Sequence, residues 1–167
     1  LKGEWRLKAD PAGVSAAEKW QNPALDHSAW IPFTVPGAFD QALDLPRRGR
    51  LCSPFDDEAM TDQGLYNGIA WLRRDVAIPA DWKGKRLFLE LGAVDDMDVA
   101  FLNGNRIGRT DGETNPTDYW SAPRVYELNP AFVLFGERNA LAVMVLDNNG
   151  EGGILGPAVR LTCREVK

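Results

Sequence analysis

Few residues in this sequence have the types and spacing that catalysis requires. His27 is the only histidine, and it lies in the turn-like stretch 25–30 ahead of a strand, where a solvated or hydrogen-bonded imidazole is favoured. Nucleophilic catalysis needs a Ser, Cys or Thr beside a base, but the chain contains neither a Gly-x-Ser-x-Gly elbow nor a Gly-Asp-Ser block. The sequence therefore predicts no catalytic residues and no independent esterase or glycosidase.

The densest acidic cluster comprises Asp95, Asp96 and Asp98 on a strand-like stretch. Strand alternation places Asp96 and Asp98 on one face and Asp95 on the other. Glycoside hydrolysis needs a carboxyl group with a raised pKa, and the neighbouring residues offer nothing to raise it. We therefore expect turn hydrogen bonds and salt bridges here. A structural Ca²⁺ is the functional alternative, although EF-hand spacing is missing, and no other cofactor or zinc site is expected.

The chain has six tryptophans, a high count for its length, and five of them lie in or beside predicted strands or the first turn region. These five are predicted to pack in the core or at its edges. They are Trp5, Trp20, Trp30, Trp71 and Trp82. Trp120 differs because it ends the polar, turn-rich stretch 111–120.

A sugar ring presents C–H groups on its face and hydroxyls at its rim, so it suits a flat aromatic ring beside polar side chains. The candidate ligand-binding residues are accordingly Trp120, Tyr119, Asn115 and Arg124, with Asn148 from a second polar loop, 147–153, as a neighbour. The alternative is that Tyr119 and Trp120 simply cover one end of the fold. The second loop also suits a plain tight turn.

Short apolar stretches separated by Gly, Pro, Asn and Asp predict strands throughout the chain. They cover 4–8, 30–35, 70–78, 86–92, 98–102, 138–147 and 158–163. Asn103-Gly104 predicts a tight hairpin turn, and the uninterrupted apolar run 141–146 predicts a central strand. Helical signals are confined to short turns at 15–20 and 130–135. The polar, turn-forming residues of 40–64 predict a long loop, or excursion, between strands. We expect an all-β sandwich.

Length and charge limit the remaining possibilities. The 167 residues suit one domain over 1–167, with a formal net charge of −5 from interspersed acidic and basic residues. No basic stripe or long apolar run is present, so neither nucleic acid nor a membrane is an expected partner. The segment 1–10 lacks a signal-peptide layout. Alternation at 159–163 favours a buried free thiol at Cys163 over a bridge to Cys52.

Several motifs resemble the N-terminal sugar-binding jelly-roll domain of family 2 glycoside hydrolases. They are Trp30 with Val35-Pro36-Gly37, the stretches 66–74, 79–85, 91–99 and 102–108, and Gly136-Glu137-Arg138-Asn139 continuing to 143. Three stretches, 92–98, 120–126 and 147–154, resemble more closely the jelly-roll domain of sialate O-acetylesterases and related carbohydrate esterases.

This resemblance implies a galactose-binding-like β-sandwich excised from a larger carbohydrate-processing enzyme that is secreted or periplasmic and degrades polysaccharides. It implies partners of two kinds, an oligo- or polysaccharide and an adjoining catalytic domain. The implied function is a non-catalytic carbohydrate-binding or accessory module of a glycoside hydrolase or carbohydrate esterase. The alternative is a purely structural domain that positions the catalytic domain without binding sugar.

Overall fold

The predicted all-β sandwich is confirmed in the computed structural model of the chain, which describes residues 1–40, 42–43 and 66–166. The first sheet comprises β1 (Gly3–Ala9), β2 (Ile31–Val35), β4 (Gly68–Ala77), β6 (Met97–Leu102), β7 (Asn105–Thr110) and β9 (Arg138–Asp147). Its strand order is β2-β1-β4-β9-β6-β7.

The second sheet comprises β3 (Gly37–Ala38), β5 (Arg86–Asp95), β8 (Pro123–Leu128), β10 (Gly153–Ile154) and β11 (Arg160–Arg164). In this sheet β5 pairs with three strands, and the outermost strand β3 pairs with β10.

The main core lies between the two sheets. Leu72 and Val143 of the first sheet and Leu89 and Leu91 of the second are fully buried there. Such apolar burial is the largest favourable term in folding, at about 25 cal/mol per Å². The apolar run 141–146 belongs to β9, which lies between β4 and β6, as its sequence predicts. Sandwich packing thus follows from strands whose inward faces are apolar.

A second apolar cluster covers the outer face of the first sheet. Trp20 and Trp30 come from the turn-rich segment that joins β1 to β2, and their rings pack with Trp71 of β4. Arg73 is also buried on β4 and donates to the carbonyls of Trp20 and Asn22. The predicted packing role of these three tryptophans is confirmed.

Local turn chemistry explains the remaining connections. Asn103 and Gly104 have φ angles of +50° and +81°, and they close the hairpin of β6 and β7 as predicted. Two 3₁₀ turns, Ala80–Trp82 and Pro130–Phe132, are the helical elements among the described residues. In the turn at 15–20, Asp10 rather than Ser15 accepts the free backbone N–H groups, namely those of Val14 and Ser15.

Two sequence predictions fall partly outside the described residues. The excursion at 40–64 is described only at Asp40, Ala42 and Leu43, and Cys52 lies outside altogether. Cys163 on β11 has no disulfide partner among the described residues, and it is half-buried rather than buried because β11 borders the second sheet. The described part of the chain contains no helix long and apolar enough to span a membrane.

Candidate functional site

Strand pairing brings both predicted binding loops to one end of the sandwich. Ala93 pairs with Pro123, so the loop 111–122 enters β8 beside the end of β5. Asp147 pairs with Gly68 at the end of β9, and Gly153 pairs with Asp95. The loop 148–152 therefore lies at that same end. We call it the acidic end, because Asp40, Asp95, Asp96 and Asp147 lie there.

Internal hydrogen bonds organise the loop 111–122. The Asp111 carboxylate accepts from the backbone N–H groups of Glu113 and Thr114 and from the Thr114 hydroxyl. Arg109 donates to both Asp111 and Glu113. The Asp111 carboxylate has a pKa lowered to about 2, first because of the hydrogen bond from Arg109. These local side-chain to backbone bonds define the turn at the start of the loop.

This loop presents one large aromatic surface to solvent. The Trp120 side chain is 41% exposed, in contrast to Trp5, Trp20 and Trp71, which are at most 2% exposed. Tyr119 is half-buried with its ring against Gly112. The structure therefore distinguishes Trp120 from the core tryptophans in the way the sequence predicts.

The two candidate asparagines lie in different loops, Asn115 in 111–122 and Asn148 in 148–152. Asn115 is half-buried in the first loop, where its backbone N–H donates to the Asp111 carbonyl. Asn148 is exposed in the second loop, and its backbone N–H donates to Asp96 Oδ2 at 2.7 Å. A ligand role for Trp120 and Tyr119 with these two amides stays a prediction.

Arg124 is buried rather than presented at the surface. Its side chain is 1% exposed, with Nε 2.8 Å from Asp98 Oδ1. Its remaining nitrogens donate to the carbonyls of Ala122, Val94 and Asp96. This placement corrects the expectation that Arg124 faces a sugar, since its donors are already used inside the protein. Arg124 instead anchors the end of the loop 111–122 to the turn between β5 and β6.

A network of hydrogen-bonded polar side chains continues from Arg124 into the first sheet. Asp98 also accepts a hydrogen bond from the Tyr126 hydroxyl at 2.8 Å, and Tyr126 lies 2.7 Å from the Thr110 hydroxyl. Burial raises the pKa of Asp98, while the Arg124 guanidinium favours its ionised form. The Tyr126 ring lies against Gly108, where a Cβ atom would be 2.1 Å from the ring. This hydrogen-bond network therefore links β8, β6 and β7 at the acidic end.

The carboxyl groups of the acidic end hold the loop 148–152 through its backbone. Asp147 Oδ1 accepts from the Asn149 N–H at 3.0 Å, and Asp40 Oδ2 accepts from the Gly152 N–H at 3.0 Å. Both side chains are nearly inaccessible, at 1% for Asp147 and 6% for Asp40. Their second oxygens, Asp147 Oδ2 and Asp40 Oδ1, have no hydrogen-bond partner. The Asn67 amide oxygen, just before β4, is also buried and unpartnered.

These carboxyl groups have raised pKa values, contrary to the expectation from the sequence for the Asp95 region. Burial raises the pKa of Asp95 to about 7, assisted by the hydrogen bond and charge of Asp96. Burial likewise raises the pKa of Asp147 to about 8 and that of Asp40 to about 6. The expectation was wrong because the largest cause is burial, which the local sequence does not show, and the adjacent Asp96 adds to it.

No signal within a single segment identifies Asp40 as part of this group. It lies more than 100 residues from Gly152 in sequence, and only the pairing of β3 with β10 brings the two together. In the part of the chain that the structure describes, no three His, Cys, Asp or Glu side chains are arranged to hold a metal ion. A structural Ca²⁺ held partly by carbonyl oxygens stays a prediction.

Comparison with known proteins gives consistent matches. The family described as "Glycosyl hydrolases family 2, sugar binding domain" matches residues 1–155. A beta-glucuronidase of Paenibacillus borealis is 28% identical over 112 residues, which are 67% of this chain and 16% of that protein. A beta-glucuronidase of Formosa agariphila is 31% identical over 90 residues, covering 54% of this chain and 8% of that protein.

Solved structures support the fold. Ruminococcus gnavus beta-glucuronidase superimposes with a TM-score of 0.63 at 20% identity over 89% of this chain, and its complex with D-glucuronic acid gives 0.64. The chain spans only about a fifth of those structures, at 20% and 21% of their lengths. Because the family match covers nearly all of the sequence, the chain belongs to the sugar-binding domain of family 2 glycosyl hydrolases and not to a catalytic domain.

Proposed function

We propose that this domain is a carbohydrate-binding accessory module that packs beside the catalytic domain of a secreted or periplasmic polysaccharide-degrading enzyme. The family assignment supports an accessory role in a glycoside hydrolase. The observation that carries the binding role is the exposed Trp120 ring on the hydrogen-bonded loop 111–122. A solvent-facing indole offers the C–H face of a sugar ring a large apolar contact.

We further propose that the ligand is a glycan containing β-linked glucuronic acid. The support is that the relatives from Paenibacillus borealis and Formosa agariphila are beta-glucuronidases. A carbohydrate esterase parent is the second candidate, favoured by the motifs at 120–126 and 147–154. The two parents differ in the bond that the adjoining domain cleaves, so glycosidase and acetylesterase assays on the full-length enzyme distinguish them.

Alanine at Trp120 is expected to weaken glycan binding by about tenfold or more, because the stacking surface is lost. Isothermal titration with the best ligand from a glycan array measures the change. Phenylalanine at the same position should keep part of the affinity. Val125→Ala is a matched control, since Val125 is a 51% exposed apolar residue on the following strand and should leave binding unchanged.

The results also decide between the two roles of the domain. An affinity unchanged by Trp120→Ala would exclude Trp120 as the contact. If the wild-type domain binds no glycan on the array, the carbohydrate-binding role fails. The purely structural role then remains, and it requires an interface of about 1,000 Å² or more with the catalytic domain. Protection of surface amides in hydrogen exchange of the full-length enzyme would locate that interface.

A further inference from the structure

Asp40 and Asp147 form a buried pair of carboxyl groups at the acidic end. Both side chains lie against Gly152, burial and then the Asp40 charge raise the pKa of Asp147, and neither side chain is more than 6% exposed. Each uses one oxygen to accept a backbone N–H of the loop 148–152, Gly152 for Asp40 and Asn149 for Asp147. Each has a second oxygen that receives no hydrogen bond. The two buried carboxyl groups beside Gly152 therefore lack a donor for one oxygen each.

Among the described residues, the groups around the pair are apolar or acidic rather than cationic. The Phe39 ring and the Gly152 backbone pack directly against it, and a Cβ atom at Gly152 would lie 2.7 Å from Asp147 Oδ2. The titratable groups that act on the pair are acidic or phenolic. They are Glu151 in the loop, Asp95 at the end of β5, Asp96 between β5 and β6, and Tyr66 before β4. The nearby guanidinium of Arg124 faces Asp98 and the carbonyls of Ala122, Val94 and Asp96.

We propose that Asp40 and Asp147 share a single proton, and that this proton fastens the loop 148–152 to the end of β3. One proton between the two groups provides a donor for one unpartnered oxygen and neutralises half of the buried charge. The loop is then held between them, because Gly152 also accepts the Phe39 N–H through its carbonyl. Loss of the proton to water leaves two adjacent buried carboxylates, whose repulsion loosens the loop. This inference does not depend on sugar binding.

The direction of the pH dependence follows from the raised pKa values. The pKa of Asp147 is about 8 in the folded protein, first because of burial and then because of the Asp40 charge. An aspartate in the unfolded chain has a pKa of about 3.9. The unfolded chain thus releases this proton at a lower pH than the folded chain. The contribution of the pair to the free energy of unfolding is complete at acid pH. It falls as the pH rises above about 4 and is lost once the pH passes the Asp147 pKa of about 8 in the folded protein.

Carboxyl ¹³C chemical shifts of the whole chain, recorded from pH 4 to pH 10, test the proposal. We expect Asp147 to titrate near neutral or alkaline pH, and the amides of Asn149 and Gly152 to lose protection from exchange over the same range. In Asp40→Asn the side-chain amide donates to Asp147 permanently. The Asp147 midpoint should therefore fall by about one pH unit or more, and the loop amides should no longer respond to pH.

Asp118→Asn is the control, because Asp118 is an exposed carboxyl group in the other loop and should leave the Asp147 midpoint unchanged. A midpoint for Asp147 near 4 in the wild-type protein would overturn the shared proton. So would an elevated midpoint that is unaffected by Asp40→Asn, since burial alone would then account for it. The readout is independent of glycan affinity, so failure here leaves the proposed carbohydrate binding intact.

Discussion

Replacing Arg124 with methionine is expected to destabilise the domain by about 3–5 kcal/mol. The substitution keeps most of the apolar volume but leaves the Asp98 carboxylate buried without its positive partner, both side chains being fully inaccessible. It also removes the donors to the carbonyls of Ala122, Val94 and Asp96. Unpartnered buried acceptors carry their full desolvation cost. Urea denaturation followed by tryptophan fluorescence measures the change in the free energy of unfolding.

Two further variants make the result specific to the buried pair. In Arg86→Met the lost ion pair with Glu127 is exposed to solvent, so the free energy of unfolding should change little. The double variant Arg124→Met with Asp98→Asn removes both charges and should recover a substantial part of the loss. Equal losses in the free energy of unfolding for Arg124→Met and Arg86→Met would show that the buried ion pair stabilises the domain no more than the exposed one. The Arg124 variant must also be checked for folding before any loss of glycan affinity is interpreted.

The regular part of the fold could be predicted because its signals are local. The predicted strands at 4–8, 70–78 and 138–147 correspond to β1, β4 and β9, and the last has the predicted bounds. The Asn103-Gly104 hairpin is equally local, since two residues determine its backbone. The short strands β3 and β10 were missed because two residues carry no periodicity. They form through long-range pairing with each other and with β5.

The candidate site could be predicted only where exposure follows from local composition. The polar stretch 111–119 correctly marked Trp120 as different from the other tryptophans. The burial of Arg124 could not be predicted, because three of its four partners, Asp98 and the carbonyls of Val94 and Asp96, lie 26 to 30 residues away along the chain. The proximity of Asp40 and Asp147 could not be predicted either, because only the pairing of β3 with β10 brings Asp40 to the loop that follows Asp147. Charged residues look solvent-exposed in sequence unless their partners are known.

Replacing Gly156 with alanine is expected to destabilise the domain by about 3 kcal/mol, for a steric reason. A Cβ atom there would lie 2.2 Å from the Ala93 backbone nitrogen and 2.4 Å from Gly92 Cα. Backbone atoms cannot move aside as a flexible side chain can, so the segment after β10 must separate from β5. That separation breaks the hydrogen bonds from the Leu155 and Gly156 N–H groups to the Ala93 carbonyl. Chemical denaturation measures the decrease in the free energy of unfolding.

Gly150→Ala is the matched control for the steric cause. Gly150 has a φ of +87° but nothing within 4 Å of its added Cβ, so alanine should cost only about 1 kcal/mol of backbone strain. Equal losses in the two variants would contradict the close-contact explanation. Hydrogen exchange should show early opening of β10 in Gly156→Ala, while β4 and β9 stay protected. Because β10 connects the loop 148–152 to both β3 and β5, that variant should also separate Asp40 from Asp147 and lower the pKa of Asp147.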